Sequence, residues 1–108
     1  MIITPSSGVA GYRVIKTLGL VKGSTIRARH LGKDILAKLK NLVGGEIEEY
    51  TKMMAEAREQ ALDRMAADAQ EKGANAICDM RFSTSFIMSA ASEIMAYGTA
   101  VVIEKDGS

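Results

Sequence analysis

Apolar residues recur at steps of three and four between Glu46 and Lys72, which is the spacing of one face of a helix. The stripe consists of Tyr50, Met54, Ala57, Ala61, Met65 and Ala69. Glutamates lie near its start and Lys72 at its end, where each charge suits the helix dipole. Gly73 follows in the position of a helix-ending glycine. The pattern predicts a long helix over residues 46–72.

A shorter apolar stripe with the same spacing precedes it. Its members are Leu31, Ile35, Leu39 and Leu42, with lysines at polar positions between them. This pattern predicts an amphipathic helix over residues 33–43. We expect the helix to end at Gly44 and Gly45, because two glycines favour a change of chain direction.

Alternation with a period of two predicts three strands, over residues 12–22, 75–88 and 93–104. In the middle strand one face is predicted to be buried, and it comprises Ala76, Cys78, Met80, Phe82, Thr84, Phe86 and Met88. Residues 24–30 either extend the first strand or form an ordered loop. The turn-favouring residues 1–11 are expected to be an irregular lead-in.

The strand predicted over residues 93–104 is apolar on both faces, which indicates a central strand or a contact between subunits. Gly98 in its middle predicts a bulge or a close approach of another backbone. Together the elements predict an α+β protein of two layers, with both helices packed on a small antiparallel sheet. A length of 108 residues fits a single domain over residues 1–108.

The predicted long helix is large for this chain. Its 27 residues span about 40 Å, whereas a compact chain of this length has a diameter of roughly 34 Å. Association with other copies of the chain explains the mismatch, and small residues such as Ala57 and Ala61 allow a neighbour to approach closely.

Charge is unevenly distributed although the formal net charge is only +1. Residues 1–45 carry eight Lys or Arg and one Asp, whereas residues 46–72 carry four Lys or Arg and eight Asp or Glu. The basic part could bind nucleic acid by neutralising phosphates, or it could pair with the acidic helix of a neighbouring subunit. The aromatic platforms of single-strand binders are missing from it, which favours pairing between subunits.

The sequence also bears on location. Its start has neither the basic nor the apolar region of a secretion signal. The apolar run Ile94–Ile103 is ten residues long, whereas a membrane span needs about 20. One cysteine cannot form an internal disulfide, so we expect a cytoplasmic protein with no membrane partner.

Few residues of this chain are candidates for metal binding or catalysis. Cys78, the only cysteine, falls on the predicted buried face, where free cysteine is typically a packed side chain; a thiolate ligand or nucleophile is the alternative. His30, the only histidine, lies 48 residues away, so the two lack the spacing of a zinc site. Symmetry in an oligomer could still gather identical ligands around an axis. Since no arrangement of Ser, His and Asp indicates catalysis, we expect no enzyme.

Several segments together resemble a known family, namely Val43-Gly44-Gly45-Glu46, Tyr50, Ala57-Arg58, Gly73-Ala74-Asn75-Ala76, Arg81-Phe82 and Ala96-Tyr97-Gly98-Thr99-Ala100. Over residues 2–104 the chain resembles the YbjQ-like family, whose members carry a heavy-metal-binding label. The resemblance implies an α+β subunit with a long helix on an antiparallel sheet, and a ring-shaped homo-oligomer, a homopentamer. Many members carry a small or aliphatic residue at the position of Cys78, so no family ligand maps onto this chain.

These observations lead to one expected function and one alternative. We expect a non-enzymatic homo-oligomer that binds a heavy-metal ion or a small ligand at subunit junctions or at the ring axis. Cys78 and His30 are the candidate metal ligands. The alternative is a nucleic-acid-binding ring that uses the basic N-terminal half.

Overall fold

The computed structural model describes residues 1–27, 45–88 and 91–107. Within these ranges it contains four strands and one helix: β1 Ile2–Ile3, β2 Tyr12–Arg27, α1 Gly45–Glu71, β3 Ala76–Met88 and β4 Ala91–Lys105. The predicted helix over residues 33–43 lies outside the described residues, and so does His30.

Helix α1 confirms the predicted long helix to within one residue at each end. Four positions of the predicted stripe are fully buried, and they are Ala57, Ala61, Met65 and Ala69. Gly73 has a φ of +87°, and its N–H donates to the carbonyl of Gln70 while the N–H of Ala74 donates to the carbonyl of Ala69. This is a Schellman motif, which satisfies the last carbonyls of the helix and confirms the predicted role of Gly73.

The strands form one mixed sheet in the order β1-β3-β4-β2. Strand β4 pairs antiparallel with both β2 and β3, so it is the central strand that its two apolar faces predict. The prediction of a purely antiparallel sheet is wrong, because β1 pairs parallel with β3. Two residues are too few to show a period, which is why residues 2–3 are predicted as part of an irregular lead-in.

Strand β2 is longer than predicted. It continues to Arg27 instead of ending at residue 22, and its partners on β4 run without interruption from Gly19 to Arg27. Of the two alternatives for residues 24–30, the strand is therefore confirmed as far as Arg27.

A bulge interrupts the pairing of β3 with β4. Cys78 pairs with Thr99 and Arg81 with Tyr97, so β3 takes three steps where β4 takes two. Asp79 at the bulge has a φ of +55°, a left-handed conformation that Asp adopts more readily than most residues. The extra residue exchanges the two faces of the strand beyond this point.

The bulge corrects the predicted faces of β3. Arg81 lies on the same face as Cys78, whereas Phe82 pairs with Ala96 and lies on the opposite face. Gly98 lies across from the bulge, where an added Cβ would be 3.0 Å from the main-chain carbonyl oxygen of Cys78 and 2.7 Å from a methyl carbon of Ile77. The close approach predicted at Gly98 is therefore confirmed.

Helix α1 covers one face of the sheet and approaches it most closely at Gly23. A Cβ at Gly23 would overlap backbone atoms of Ala61 and Met65, so only glycine lets the helix backbone lie against the strand. The core between the two layers is built mainly of small and aliphatic side chains: Val21, Ala57, Ala61, Met65, Ala69, Ile77, Ile94, Ala96 and Ala100.

The opposite face of the sheet, which no helix of residues 1–27, 45–88 and 91–107 covers and which is here called the helix-free face, has its own smaller cluster. Ala76, Cys78, Val101 and Ile103 are buried there. Val9 of the N-terminal segment packs against them. The chain thus covers part of the helix-free face with its own first residues.

Candidate functional site

Cys78 lies in the cluster on the helix-free face and is only 2% exposed. Burial raises the pKa of its thiol above the ordinary value, and the neighbouring carboxylate of Asp79 raises that pKa further. The thiol is therefore neutral at physiological pH, whereas metal ligation and nucleophilic attack both need the thiolate. The predicted burial of Cys78 is confirmed, and packing is the role that its surroundings support.

A metal ion would need several donors close together, and the part of the chain that the structure describes does not provide them. Among residues 1–27, 45–88 and 91–107 there is no group of three or more His, Cys, Asp or Glu side chains that could hold a metal ion. Asp79 is exposed, while Cys78 is buried beside Val101 and Ile103. The described residues of one chain thus do not fit a metal centre, and His30 stays a prediction.

The N-terminal segment is attached to the bulge by polar contacts. The N–H of Asp79 donates to the carbonyl of Ser6 over 2.9 Å, and that of Met80 donates to the carbonyl of Thr4 over 3.1 Å. Arg81 Nη1 donates to the carbonyl of Pro5 over 2.8 Å. These bonds hold the first residues across the helix-free face, above Cys78. In the sequence, the feature that indicates this attachment is Arg81, a charged residue that follows the buried residues 76–78 of β3.

The outer edge of β2 is bonded to side chains of α1. The N–H of Lys22 donates to Asp68 Oδ2 over 3.3 Å, and Arg64 Nη1 donates to the carbonyl of Ser24. Asp68 also accepts from Lys72 Nζ at 2.6 Å. The bonds from Lys72 and from the Lys22 main chain lower the pKa of Asp68. Because its edge groups are occupied at residues 22–24, β2 cannot add another strand at that point.

The rest of the helix-free face exposes apolar side chains. The register places Leu20 beside Thr99, Lys22 beside Tyr97, Ser24 beside Met95 and Ile26 beside Glu93. We call the four apolar members, Leu20, Ile26, Met95 and Tyr97, the open patch. Leu20 is 64% exposed and Ile26 is 60% exposed, while Met95 and Tyr97 are half-buried.

The open patch is an exposed apolar surface, a feature that interaction sites of proteins share. The alternation along β2 does not predict the open patch, because the side of the sheet that α1 covers decides whether Leu20 and Ile26 are exposed. None of the helices in the described ranges is long and apolar enough to cross a membrane.

Comparison with known proteins places this geometry in a family. A family model named YbjQ_1, described as "Putative heavy-metal-binding", matches residues 1–104. A UPF0145 protein of Dehalococcoides mccartyi strain BAV1 is 66% identical over 104 residues, covering 96% of this chain and 100% of the relative.

More distant relatives extend the comparison. A UPF0145 protein of Pyrococcus abyssi is 54% identical, covering 98% of this chain and 93% of the relative, and one of Clostridioides difficile is 54% identical, covering 100% and 96%. The crystal structure of a protein with unknown function from Pediococcus pentosaceus, of the DUF74 family, matches with a TM-score of 0.64 at 18% identity. That match covers 96% of this chain and 98% of the other, and it shows a shared fold.

Proposed function

Because this chain belongs to the YbjQ_1 family, we propose that it is a non-enzymatic homo-oligomer that binds a metal ion or a small ligand where its subunits meet. The observation that carries the proposal is the family match over residues 1–104, together with the description of that family. The open patch supports the assembly, since an apolar surface of this kind favours a partner. The proposed assembly is a ring of five copies.

Assembly into a ring changes how many metal donors each subunit must supply. A zinc site needs about four protein donors, and a cyclic oligomer presents identical side chains at equal distances around its axis. Each subunit then needs to supply only one or two donors. Binding at a junction or at the axis is therefore the form of metal or ligand binding that we propose, with His30 as the candidate donor and Cys78 as the weaker one.

Native mass spectrometry of protein purified without chelator tests both parts of the proposal at once. We expect a single closed oligomer, and a mass excess that matches a bound metal ion or small molecule. A monomer at micromolar concentration contradicts the assembly. An oligomer whose mass equals that of the bare chains, and that gains none with added Zn²⁺, Cu⁺ or Ni²⁺, contradicts the binding.

Calorimetry with the same three ions then identifies donors. We expect His30→Ala to weaken binding at least tenfold, because neutral imidazole is the commonest protein ligand of metal ions. Cys78→Ala should change the affinity little, because the thiol is buried and neutral. Unchanged affinity in both variants excludes both residues as ligands.

A rival function rests on the charge of β2. The 16 residues of this strand include four Lys or Arg and no Asp or Glu, which suits contact with phosphates. A nucleic-acid-binding ring predicts an affinity for single-stranded or double-stranded oligonucleotides that falls steeply between about 50 and 200 mM salt. Absence of binding near 50 mM salt excludes it.

A further inference from the structure

Residues 4–11, the part of the N-terminal segment between β1 and β2, cross the helix-free face, and we call them the crossing loop. The strand order β1-β3-β4-β2 puts β1 and β2 at opposite edges of the sheet. The chain therefore has to pass over β3 and β4 to link them. On the way, Val9 packs on the buried cluster that contains Cys78.

The crossing loop is shallowly attached compared with what it covers. Of its eight residues, Thr4 and Val9 are half-buried and the other six are exposed. The cluster beneath it is buried, with Ala76 and Cys78 at 0% and 2% exposure. Segments with few buried apolar contacts and exposed main-chain bonds open at a lower free energy than the fold as a whole.

Hydrogen bonds to the bulge of β3 hold the crossing loop down. The carbonyls of residues 4–6 accept, in turn, from the N–H of Met80, from Arg81 Nη1 and from the N–H of Asp79. Two consecutive N–H groups and a guanidinium thus donate to three consecutive carbonyls. Every one of these acceptors is a main-chain oxygen, so the three bonds can break together without disturbing a side chain of the loop.

The crossing loop is also long enough to lift away while its ends stay paired. Ile3 pairs with Ile77, which pairs with Ala100, whereas Tyr12 pairs with Lys105. Ile3 and Tyr12 are therefore three strand spacings apart across the sheet and five residues apart along β4, roughly 22 Å in total. The nine Cα–Cα steps between them can reach about 30 Å. The spare length is taken up in the closed position by the detour to the bulge.

We propose that the crossing loop is a lid, which opens as one unit while the sheet and α1 stay folded and which controls access to Cys78. In the closed position Val9 covers the cluster and the loop carbonyls occupy the donors of the bulge. Opening brings the Cys78 thiol and those donors into contact with solvent. The lid does not depend on the assembly or on the metal binding of the proposed function.

Hydrogen exchange of the unmodified full chain, resolved by residue with NMR, tests whether the lid opens separately. The N–H groups of Asp79 and Met80 donate to loop carbonyls, so their protection factors report opening of the lid. We expect these two factors to agree within threefold and to lie at least 100-fold below those of Met65 on α1 and Ile94 on β4, which are almost fully buried. A wider spread shows that the loop does not open as a unit, and protection equal to that of Met65 shows that it opens only on global unfolding; either result overturns the proposal.

Labelling of Cys78 with a thiol reagent tests the control of access. The labelling rate in 6 M guanidinium divided by the rate in the native protein gives the protection of the thiol at the same pH. We expect this ratio to match the protection factors of Asp79 and Met80 within tenfold. A ratio that matches Met65 instead shows that global unfolding is needed to reach the thiol, and it overturns the control of access.

Arg81→Ala tests the attachment itself, because it removes the bond to the carbonyl of Pro5. We expect Cys78 to be labelled at least threefold faster in this variant. Arg13→Ala is the matched control, since Arg13 is also exposed and its partner Glu104 lies on β4, away from the crossing loop; its labelling rate should equal that of the unmodified chain. Circular dichroism checks that both variants are folded, and equal labelling of the two folded variants contradicts the attachment. The exchange measurement on the unmodified chain decides the proposal even where a variant does not fold.

Discussion

The side chain of Asn75 pairs with both main-chain polar groups of Ile103. Asn75 Nδ2 donates to the carbonyl of Ile103 over 2.8 Å, and the N–H of Ile103 donates to Asn75 Oδ1 over 2.7 Å. The amide thus continues the ladder between β3 and β4 beyond the pair of Ala76 and Val101. It does so two residues after the helix-ending Gly73, so one residue joins the end of α1 to β4.

Asn75→Asp should destabilise the fold by about 1–3 kcal/mol. A carboxylate can accept from the N–H of Ile103 but has no donor for its carbonyl, which then faces a negative charge. Urea unfolding at pH 7 measures the loss. The control is Ser7→Asp, which adds the same charge at an exposed position. Equal stability of Asn75→Asp and the unmodified chain contradicts the role of the pair.

Gly23→Ala should disrupt the packing of α1 on β2. A Cβ there overlaps the backbone of Ala61 and Met65, and neither can yield without moving the helix away from the sheet. We expect a loss of about 3 kcal/mol, seen as a fall in Tm of roughly 10–20 °C. Gly8→Ala is the matched control, since nothing lies within 4 Å of its added Cβ. Similar Tm values for the two variants refute the close contact.

Asp68→Asn should lower stability by about 0.5–1 kcal/mol at neutral pH, a modest value because Lys72 and Asp68 are partly exposed. The pKa of Asp68 is lowered in the folded chain. Its contribution is therefore complete above the unfolded carboxyl pKa of about 3.9 and disappears as the pH falls through the folded pKa. Urea unfolding should show the two proteins differing at pH 7 and converging as the pH falls through the folded pKa of Asp68. Asp63→Asn, on the exposed surface of α1, serves as control, and a difference that does not shrink with acid speaks against the assignment.

Cys78 should react slowly with a thiol reagent in the folded protein. Burial raises the pKa of its thiol, so the rate of modification should be at least tenfold below that in 6 M guanidinium at the same pH. Its midpoint with pH should also lie above the ordinary value of about 8.5. Fast labelling at pH 7 in the native state would contradict the packed role of Cys78 and would favour a role as metal ligand or nucleophile.

Thr25→Val should stabilise the chain by about 1 kcal/mol. Thr25 is 3% exposed, and its hydroxyl finds no hydrogen-bond partner among the described residues. Valine keeps the shape and removes the cost of an unpaired buried hydroxyl. Thermal unfolding measures the change, with the exposed Thr17→Val as control. A loss of stability shows that the hydroxyl has a partner that the described ranges do not include.

Much of the fold could be predicted from local patterns. The 3.6-residue stripe of α1 runs from Tyr50 to Ala69, about five turns, and Gly73 marks the end of the helix, so the helix boundaries are confirmed to within one residue. The apolar faces of β4 predict its interior place, because one face packs against α1 and the part of the other that carries Val101 and Ile103 packs against the N-terminal segment. Strand β1 is not predicted, because its two residues show no alternation and its pairing with β3 is made by main-chain atoms.

The candidate site was less predictable. Period-two alternation assumes a regular strand, and Asp79 breaks the period by one residue, so Cys78 and Phe82 lie on opposite faces instead of sharing one. The burial of Cys78 is confirmed all the same, because Val9 covers it from a distant part of the sequence. The open patch depends on which face the helix takes, and no local pattern contains that information.

The bulge at Asp79 has a consequence for how this chain tolerates insertions and deletions. Asp79 and Met80 both lie opposite Gly98, so loss of Asp79 would restore regular pairing and leave Arg81 beside Tyr97 and Phe82 beside Ala96. Arg81 would keep its anchor at Pro5, whereas the N-terminal segment would lose the N–H of Asp79 that donates to Ser6. A one-residue deletion is therefore better tolerated at the bulge than in the regular part of β3, where it would exchange the faces of the later residues.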